Sequence, residues 1–578
     1  LLFSVLILFA CAFRLSIRII PHFSLSFKGF YLHIYSFSPL RAAVFFAFSS
    51  PQGQKSLNNP CLVRVWYSSI YQGGRTDMEI NKEQLHCDTV SMTSAEQTLR
   101  MILPLAGTDR KVLCGNARAY VVSCRVQGGE ARAEGVVRGG VTLEGETPET
   151  SQAQQDFAVA VPAAENSAAA ARARVTMCKC RMEGSSAVLE VTVQVCFFIA
   201  SPVETEVITD IVSPDVQLLS TEAECSSLVG IFTQRTAVRE NIELSVRMPE
   251  VEQCLQVSPS VCINGVQADT DAVMVSGDVV LSVLYSGSDE YEPVAQVADR
   301  IPFSAVIEAP GVQPDDTVCL DISPEEGTVL PQDNEQGERR VLACDISLCC
   351  TACVSRKRSV KAVTAAYSTV DKTQCSFSNA ELPGIECLVR RQSVRILLDA
   401  PQGAQPIARI CAVNAYVQTL STEAQSGTVR LMMRACFRVL YIASGTGELT
   451  GFDTYADFEL NTDCSCTPAS TVFACPDIDT LQAALVGGKC EIRMVLQLGL
   501  TVSSPGTLRV LTDFTATAPR EKPCGLCVYI ARSGETLFSV GEELGIAPQE
   551  LAQQNPGLDE GAILESGTRI TVYRRLRG

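Results

Sequence analysis

Histidine is almost missing from this chain: there are 3 in 578 residues, and only His86 lies beyond Met78. An imidazole-based zinc site is therefore poorly supported. A Cys–His nucleophile would have to use His86 beside Cys87 and Asp88, with no third group in sight to orient the pair. Positive charge is also scarce. Lys and Arg number 47 against 64 Asp and Glu, a net charge of −17, which argues against nucleic acid or an anionic membrane surface as partner. The first apolar run, LLFSVLILFACAF, is broken by Arg14 and is too short to span a bilayer, so no integral membrane segment is expected. P-loop, HExxH, GxSxG and Rossmann fingerprints are all lacking. Acidic stretches such as Pro324-Glu-Glu326 and Asp333-Asn-Glu335 read as solvated loop, and nothing places two carboxylates at glycosidase separation. Neither enzymatic activity nor a cofactor is expected.

What is present is unevenly distributed. Residues 1–77 carry seven Lys and Arg against one acid, so the remainder carries −23. The same stretch holds His22, His33 and the only tryptophan, Trp66. Its HFSLSFKGFYLHIYSFS run reads as neither helix nor strand, and a signal peptide's positive leader and cleavage site are not evident. Residues 1–77 are expected to be upstream sequence translated in frame, or an unstructured hydrophobic leader, with the start at Met78. Gly73-Gly74-Arg75 fits a purine-rich ribosome-binding site; a genuine signal or anchor is the alternative.

Cysteine is abundant, 26 in all, yet no CxxC…CxxC framework appears. Cys524-Gly-Leu-Cys527 is a lone CxxC, and Cys178, Cys180, Cys196, Cys344, Cys349, Cys350, Cys353 and Cys436 fall in alternating segments. They read as small buried apolar side chains, with disulfide cross-linking the alternative.

From Met78 to about Phe514, short period-two runs separated by Gly, Pro, Asp and Ser predominate: 119–126, 187–198, 274–285, 341–354, 429–441 and 490–502. Such spacing predicts a mainly β chain of all-β, sandwich-like domains. One helix is expected, SAEQTLRMIL from Ser94, with Ser94 and Gln97 forming a capping box. Val283-Leu284-Tyr285 and Val439-Leu440-Tyr441 recur 156 residues apart, each before a turn, with a degraded counterpart at 135–143. Phe157, Phe303 and Phe458 follow in turn. The period predicts three tandem homologous domains, 78–215, 216–375 and 376–516, with seams at Val203–Asp215 and Lys372–Gly384.

After a linker at 517–526, residues 527–575 spell strand, helix, helix, strand. Ser533-Gly534 makes a turn, and Glu535 and Thr536 offer an acid and a hydroxyl to a helix start. Leu537, Val540 and Leu544 form one apolar stripe. Gly545 ends that helix, Pro548 starts the next, and Asn555-Pro556-Gly557 stops it. This SGETLFSVGEELGI run, with Asn555 and the Leu564…Gly567…Ile570 tail, resembles a LysM domain, a small βααβ fold that binds and does not catalyse. The resemblance implies a shallow groove lined by Gly534, Glu535, Thr536, Leu537, Ile563 and Leu564, suited to N-acetylglucosamine polymers or a protein partner. For Leu537 a purely core role stands equally open.

Three β-rich repeats followed by one LysM module are similar to the SPOCS-domain spore coat proteins of Clostridia, in particular the SipL-like coat morphogenetic proteins. The Val-Leu-Tyr endings, Pro214-Asp215 and the C-terminal module carry that resemblance. It implies a coat-assembly adaptor in the mother-cell cytoplasm at the forespore surface, docked through the LysM module on the coat morphogenetic ATPase and other coat proteins. The alternative is a cell-wall protein that binds peptidoglycan.

Overall fold

The computed structural model describes residues 78–574 apart from 105–110, 146–147, 290–291 and 522–524, together with the backbone of strands between 22 and 48. That early backbone is an antiparallel meander, β1 (His22–Phe27), β2 (Phe30–Ser38) and β3 (Arg41–Phe48). Contrary to the expectation of neither helix nor strand, this run contains strand, and Phe23, Leu25 and Phe27 alternate with Ser24 and Ser26, a period of two. The rest of the 1–77 expectation, including the start at Met78, lies outside the described residues.

Three sets of six strands follow, each with the same pairing. The first comprises β4 (Glu79–Pro104), β5 (Val112–Gln127), β6 (Glu130–Leu143), β7 (Glu149–Pro162), β8 (Ala168–Glu183) and β9 (Ser186–Val212). The second comprises β10 (Val216–Glu243), β11 (Val251–Asp269), β12 (Ala272–Asp289), β13 (Glu292–Glu308), β14 (Thr317–Gln332) and β15 (Val341–Ser368). In the third the first strand is split into β16 (Asp371–Glu381) and β17 (Gly384–Leu398). After β18 (Ile407–Ala424), β19 (Thr428–Ala443), β20 (Leu449–Asp463) and β21 (Thr471–Val486), the last strand is split into β22 (Lys489–Ser504) and β23 (Thr507–Pro519). Pro383 and Pro505-Gly506 stand at the two breaks, where a ladder donor is missing and a turn is favoured. In each set one sheet joins strands two, three and four, and the other joins first, last and fifth.

The two sheets of a set pack face to face through their middle strands. In the second set, Val273, Val275, Val279, Leu281, Val283 and Tyr285 meet Leu342, Cys344, Ile346, Leu348, Cys350 and Val354, all buried. Cysteine here occupies sites equivalent to valine or leucine. The Val-Leu-Tyr endings acquire a cause: Tyr285 and Tyr441 are buried, and their hydroxyls donate to the carbonyls of Pro249 (3.3 Å) and Gln405 (3.1 Å). Leu143, at the same strand position in the first set, has no hydroxyl to do this. The recurrent phenylalanines also find a role, since Gly135 faces Phe157 and Gly277 faces Phe303 across the ladder. The ring covers a glycine where a Cβ would lie 2.4 Å from a Phe157 ring atom or from the Cys262 carbonyl oxygen.

The helix expected from Ser94 does not form. Ser94 pairs with Cys196 and Gln97 with Val193 inside β4. Leu99, Met101 and Leu103 are buried while Arg100 and Ile102 are exposed, so SAEQTLRMIL obeys a period of two, and burial against β9 overrides helical propensity. Most of the two stretches expected as seams is ladder, Val203–Val212 belonging to β9 and Asp371–Glu381 pairing with β23, while the first set passes to the second at 213–215, inside the first of them.

Those stretches are arms. The first and last strands of each set overrun their sandwich as a two-stranded ribbon, and the three ribbons share one core of Ile208, Ile211, Val363, Ala366, Leu511 and Phe514. A ribbon alone cannot bury its apolar face; three together can. The sets also touch pairwise. Leu228 N–H donates to Asp88 (2.6 Å), Ser226 N–H to the Pro383 carbonyl (2.9 Å), and Ser503 Oγ to the Val90 carbonyl (3.0 Å). Where all three meet, Arg172 of β8 reaches Asp321 of β14 (3.0 Å) and Asp477 of β21 (2.7 Å). Burial opposes the guanidinium charge, but the two carboxylates outweigh it and hold Arg172 above its ordinary range.

Two outcomes follow for stability. Gly277→Val, which must displace the Cys262 carbonyl or the Phe303 ring, is expected to lower unfolding free energy by about 1–3 kcal/mol in urea titration. Arg172→Met leaves Asp321 and Asp477 without their shared cation and is expected to cost about 3 kcal/mol. An unchanged urea midpoint in either variant contradicts the packing described.

Candidate docking site

The chain closes with β24 (Gly525–Ile530), α1 (Leu537–Leu544), α2 (Pro548–Gln554) and β25 (Arg569–Arg574), the two strands antiparallel. Local chemistry explains each step. Gly534 takes φ +89°, a left-handed turn closed to most side chains. Thr536 is the N-cap of α1: Ser539 N–H donates to its Oγ1 (3.3 Å), and Thr536 N–H donates to Ser539 Oγ (2.9 Å). Glu535 lies before the helix; its carboxylate accepts from Arg532 N–H (2.9 Å) and Tyr529 hydroxyl (3.1 Å). Tyr529 also donates to Glu543 (2.9 Å), and that bond, with Glu535 beyond it, pushes the phenol up to about 12. Gly545 ends α1 at φ +66°. Asn555 ties α2 to β25, accepting from Thr571 N–H (2.7 Å) and donating to the Thr571 carbonyl (2.8 Å).

The six residues expected to line a groove do come together, but not all as lining. Leu564 N–H donates to the Glu535 carbonyl (2.7 Å) and Gly534 N–H to the Leu564 carbonyl (3.4 Å), so the first turn and the loop before β25 lie side by side. Leu537 and Leu564 are core residues, packed with Ala531, Val540, Ile546, Leu551, Ile570 and Val572. Of the two readings left open for Leu537, the core role is the one observed. Only Gly534, Glu535, Thr536 and Ile563 present side chain or backbone outward, and Ile563 is 75% exposed.

Sequence reasoning passed over a second surface. Leu526, Val528 and Ile530 occupy alternate positions on β24, exposed by 70%, 56% and 63%, and Tyr573 of β25 sits opposite Leu526. The signal was legible: Leu526-Cys-Val-Tyr-Ile530 is apolar on both faces, whereas a strand covered on one side alternates. This uncovered face belongs to a unit held firmly at its other end. The Tyr367 hydroxyl, at the end of β15, donates to the Ile546 carbonyl (2.6 Å), and its ring meets Phe538 edge-on at 5.0 Å. Arg520 donates to the Glu542 carbonyl (2.5 Å) beside it.

Another concavity, of about 840 Å³, opens among the three sandwiches, with Asn116, Arg118, Gln256, Ser258, Asn414 and Tyr416 in its wall. Much of its polar lining is spent on contacts between sets: Ala117 N–H donates to the Tyr416 hydroxyl (3.0 Å) and Asn414 Nδ2 to Gln256 (3.0 Å). Among the described residues no cluster of three or more His, Cys, Asp or Glu is arranged to hold a metal, and no helix is long and apolar enough to cross a membrane.

Residues 250–329 match the family described as SipL, SPOCS domain. The match falls on the second set of strands, from just before β11 to within β14, and includes the Tyr285 ending and the Gly277–Phe303 pair. No curated protein and no solved structure matches the chain.

Tyr367→Phe removes the bond to Ile546 and leaves its carbonyl short of a buried donor. Loosening of the C-terminal unit by about 1 kcal/mol is expected, read as faster amide exchange in α1 while the sandwich cores stay protected. Exchange unchanged in α1 contradicts the docking.

Proposed function

We propose that this protein is a non-enzymatic adaptor of spore coat assembly, acting in the mother-cell cytoplasm at the forespore surface. The observation that carries the reading is the SipL, SPOCS match at 250–329. In this reading the C-terminal βααβ unit is a LysM domain, and the β-rich body is the part that other coat proteins meet. The unit docks on the basal-layer morphogenetic ATPase through Ile563, the 534–536 turn and the apolar face of β24. Exposed aliphatic and aromatic side chains at the rim of a rigid unit suit a protein partner, whose own apolar groups replace water there. Attachment to a polymer would multiply modest contacts through effective concentration.

A peptidoglycan-binding role remains the second reading, favoured by the open backbone of the 534–536 turn beside Ile563. The two separate in one experiment. Full-length protein carrying Ile563→Glu is expected to lose at least tenfold in affinity for the purified ATPase, about 1.4 kcal/mol, with its melting temperature unchanged. Wild-type protein that ignores the ATPase and sediments with purified peptidoglycan overturns the adaptor reading.

A further inference from the structure

At each of the three contacts between sandwich sets, a cysteine from one side meets a cysteine from the other. Cys87 of β4 and Cys225 of β10 lie thiol against thiol, each 2% exposed, in a small cluster with Leu85 and Leu382. Cys319 of β14 and Cys387 of β17 meet between the second and third sets, with Thr501 Oγ1 at 3.3 Å from the Cys319 sulfur. Cys196 of β9 and Cys475 of β21 meet between the first and third. The last two pairs share the wall of one cavity of about 420 Å³, together with Cys353.

Packing alone does not call for this. A buried cysteine behaves as a small apolar side chain, and Cys344 or Cys350 serves that way inside a single core. Thiols placed against each other, with partners from different sets and one such pair at every contact, are an arrangement that apolar packing would equally meet with valine and alanine. Cys464 and Cys466 form a different kind of pair. Their sulfurs are 3.0 Å apart, but they stand two residues apart in one loop, so a bond there would join nothing distant.

We propose that these six cysteines are oxidative cross-linking sites, forming the disulfides Cys87–Cys225, Cys319–Cys387 and Cys196–Cys475, which join the three sandwich sets covalently into a closed ring. The oxidant is a small peroxide. One thiolate of a pair attacks a peroxide oxygen, giving a sulfenic acid and hydroxide; the partner thiol then displaces water from the sulfenic sulfur. In sum, two thiols and one hydrogen peroxide become one disulfide and two waters. Within each pair one thiol can stabilise negative charge on the other. Hydrogen bonding from Cys87 holds Cys225 below the ordinary thiol range against the opposing effect of burial, with Arg358 helping. The same bond from Cys387 lowers Cys319, aided by Thr501, and that from Cys196 lowers Cys475, aided by Arg174 and Arg172. Cys319, Cys387 and Cys475 are only partly buried, so their pairs are open to peroxide through the cavity, whereas Cys87 and Cys225 are reached last.

The ring so closed is a different object from a non-covalent trio of sandwiches. Three long-range links restrict the unfolded chain strongly, so the oxidised protein resists heat far better than the reduced one. This holds whether or not the C-terminal unit binds the proposed partner.

The experiment is non-reducing peptide mapping of the full chain, purified reduced and then treated with hydrogen peroxide while folded. The three named links are expected to dominate, Cys87–Cys225 forming slowest, with a melting temperature roughly 10 °C higher. Cys225→Val, which keeps an apolar side chain at the contact, is expected to remove that link alone. Cys475→Ala is the second variant and is expected to remove only the Cys196 link. Folded protein that yields sulfinic acids, intermolecular links through exposed Cys527, or Cys464–Cys466 alone overturns the proposal.

Discussion

One partly buried cation organises the body of this molecule. Arg172 extends from the fifth strand of the first set and is met by carboxylates from the fifth strands of the other two, Asp321 and Asp477. A buried ion pair contributes little net stability, because desolvation consumes most of the Coulomb gain, but it is intolerant of misplacement. A sandwich rotated or shifted by one strand position would leave a charge without its partner. Generic sheet faces could pack in several ways, and the charged junction selects one. Other contacts of charged side chains join the sets elsewhere: Arg138 with Glu326 (2.5 Å), and Arg438 donating to the Leu113 carbonyl (2.6 Å).

The arms extend the same constraint along the molecule. Each is a ribbon whose inner residues, such as Ile211, Ala366 and Phe514, have no sheet of their own to cover them. The apolar cores within the sandwiches would allow the three to come apart; the arms do not, since separation would expose Phe514 and its neighbours to water. The place where the arms end is also where the C-terminal unit is seated, through Tyr367 and Phe538. The exposed face of β24 is thereby coupled to the body by a packed contact rather than by a loose tether.

Much of this was readable in advance, and the misses share a cause. Alternation marked the strands correctly at 274–285 and 341–354, and the Ser-Gly-Glu-Thr run marked the start of α1, although Ser539 as the reciprocal cap was not singled out. The expectation that Leu537 and Leu564 line a groove fails because a family pattern locates a chain segment, not the direction of each side chain; Leu564 backbone does bond to the first turn, while both side chains turn into the core. The Ser94 segment departs from the helical expectation because its capping residues are local, whereas the residues of β9 that pair with it, 187–196, lie far along the chain.

Alone, the sequence determined which residues face inward, where strands turn, that the β pattern repeats, and how the last fifty residues are capped and punctuated. These are properties of a segment and its immediate neighbours. The tertiary structure alone decided that Val203–Val212 and Asp371–Glu381 are arms rather than seams, that Arg172 serves three sandwiches at once, and that cysteines far apart in the chain meet in pairs. Alternation states that a face is buried but never against what. That choice is made by contacts between residues hundreds of positions apart, whose complementarity exists only when the sheets have assembled.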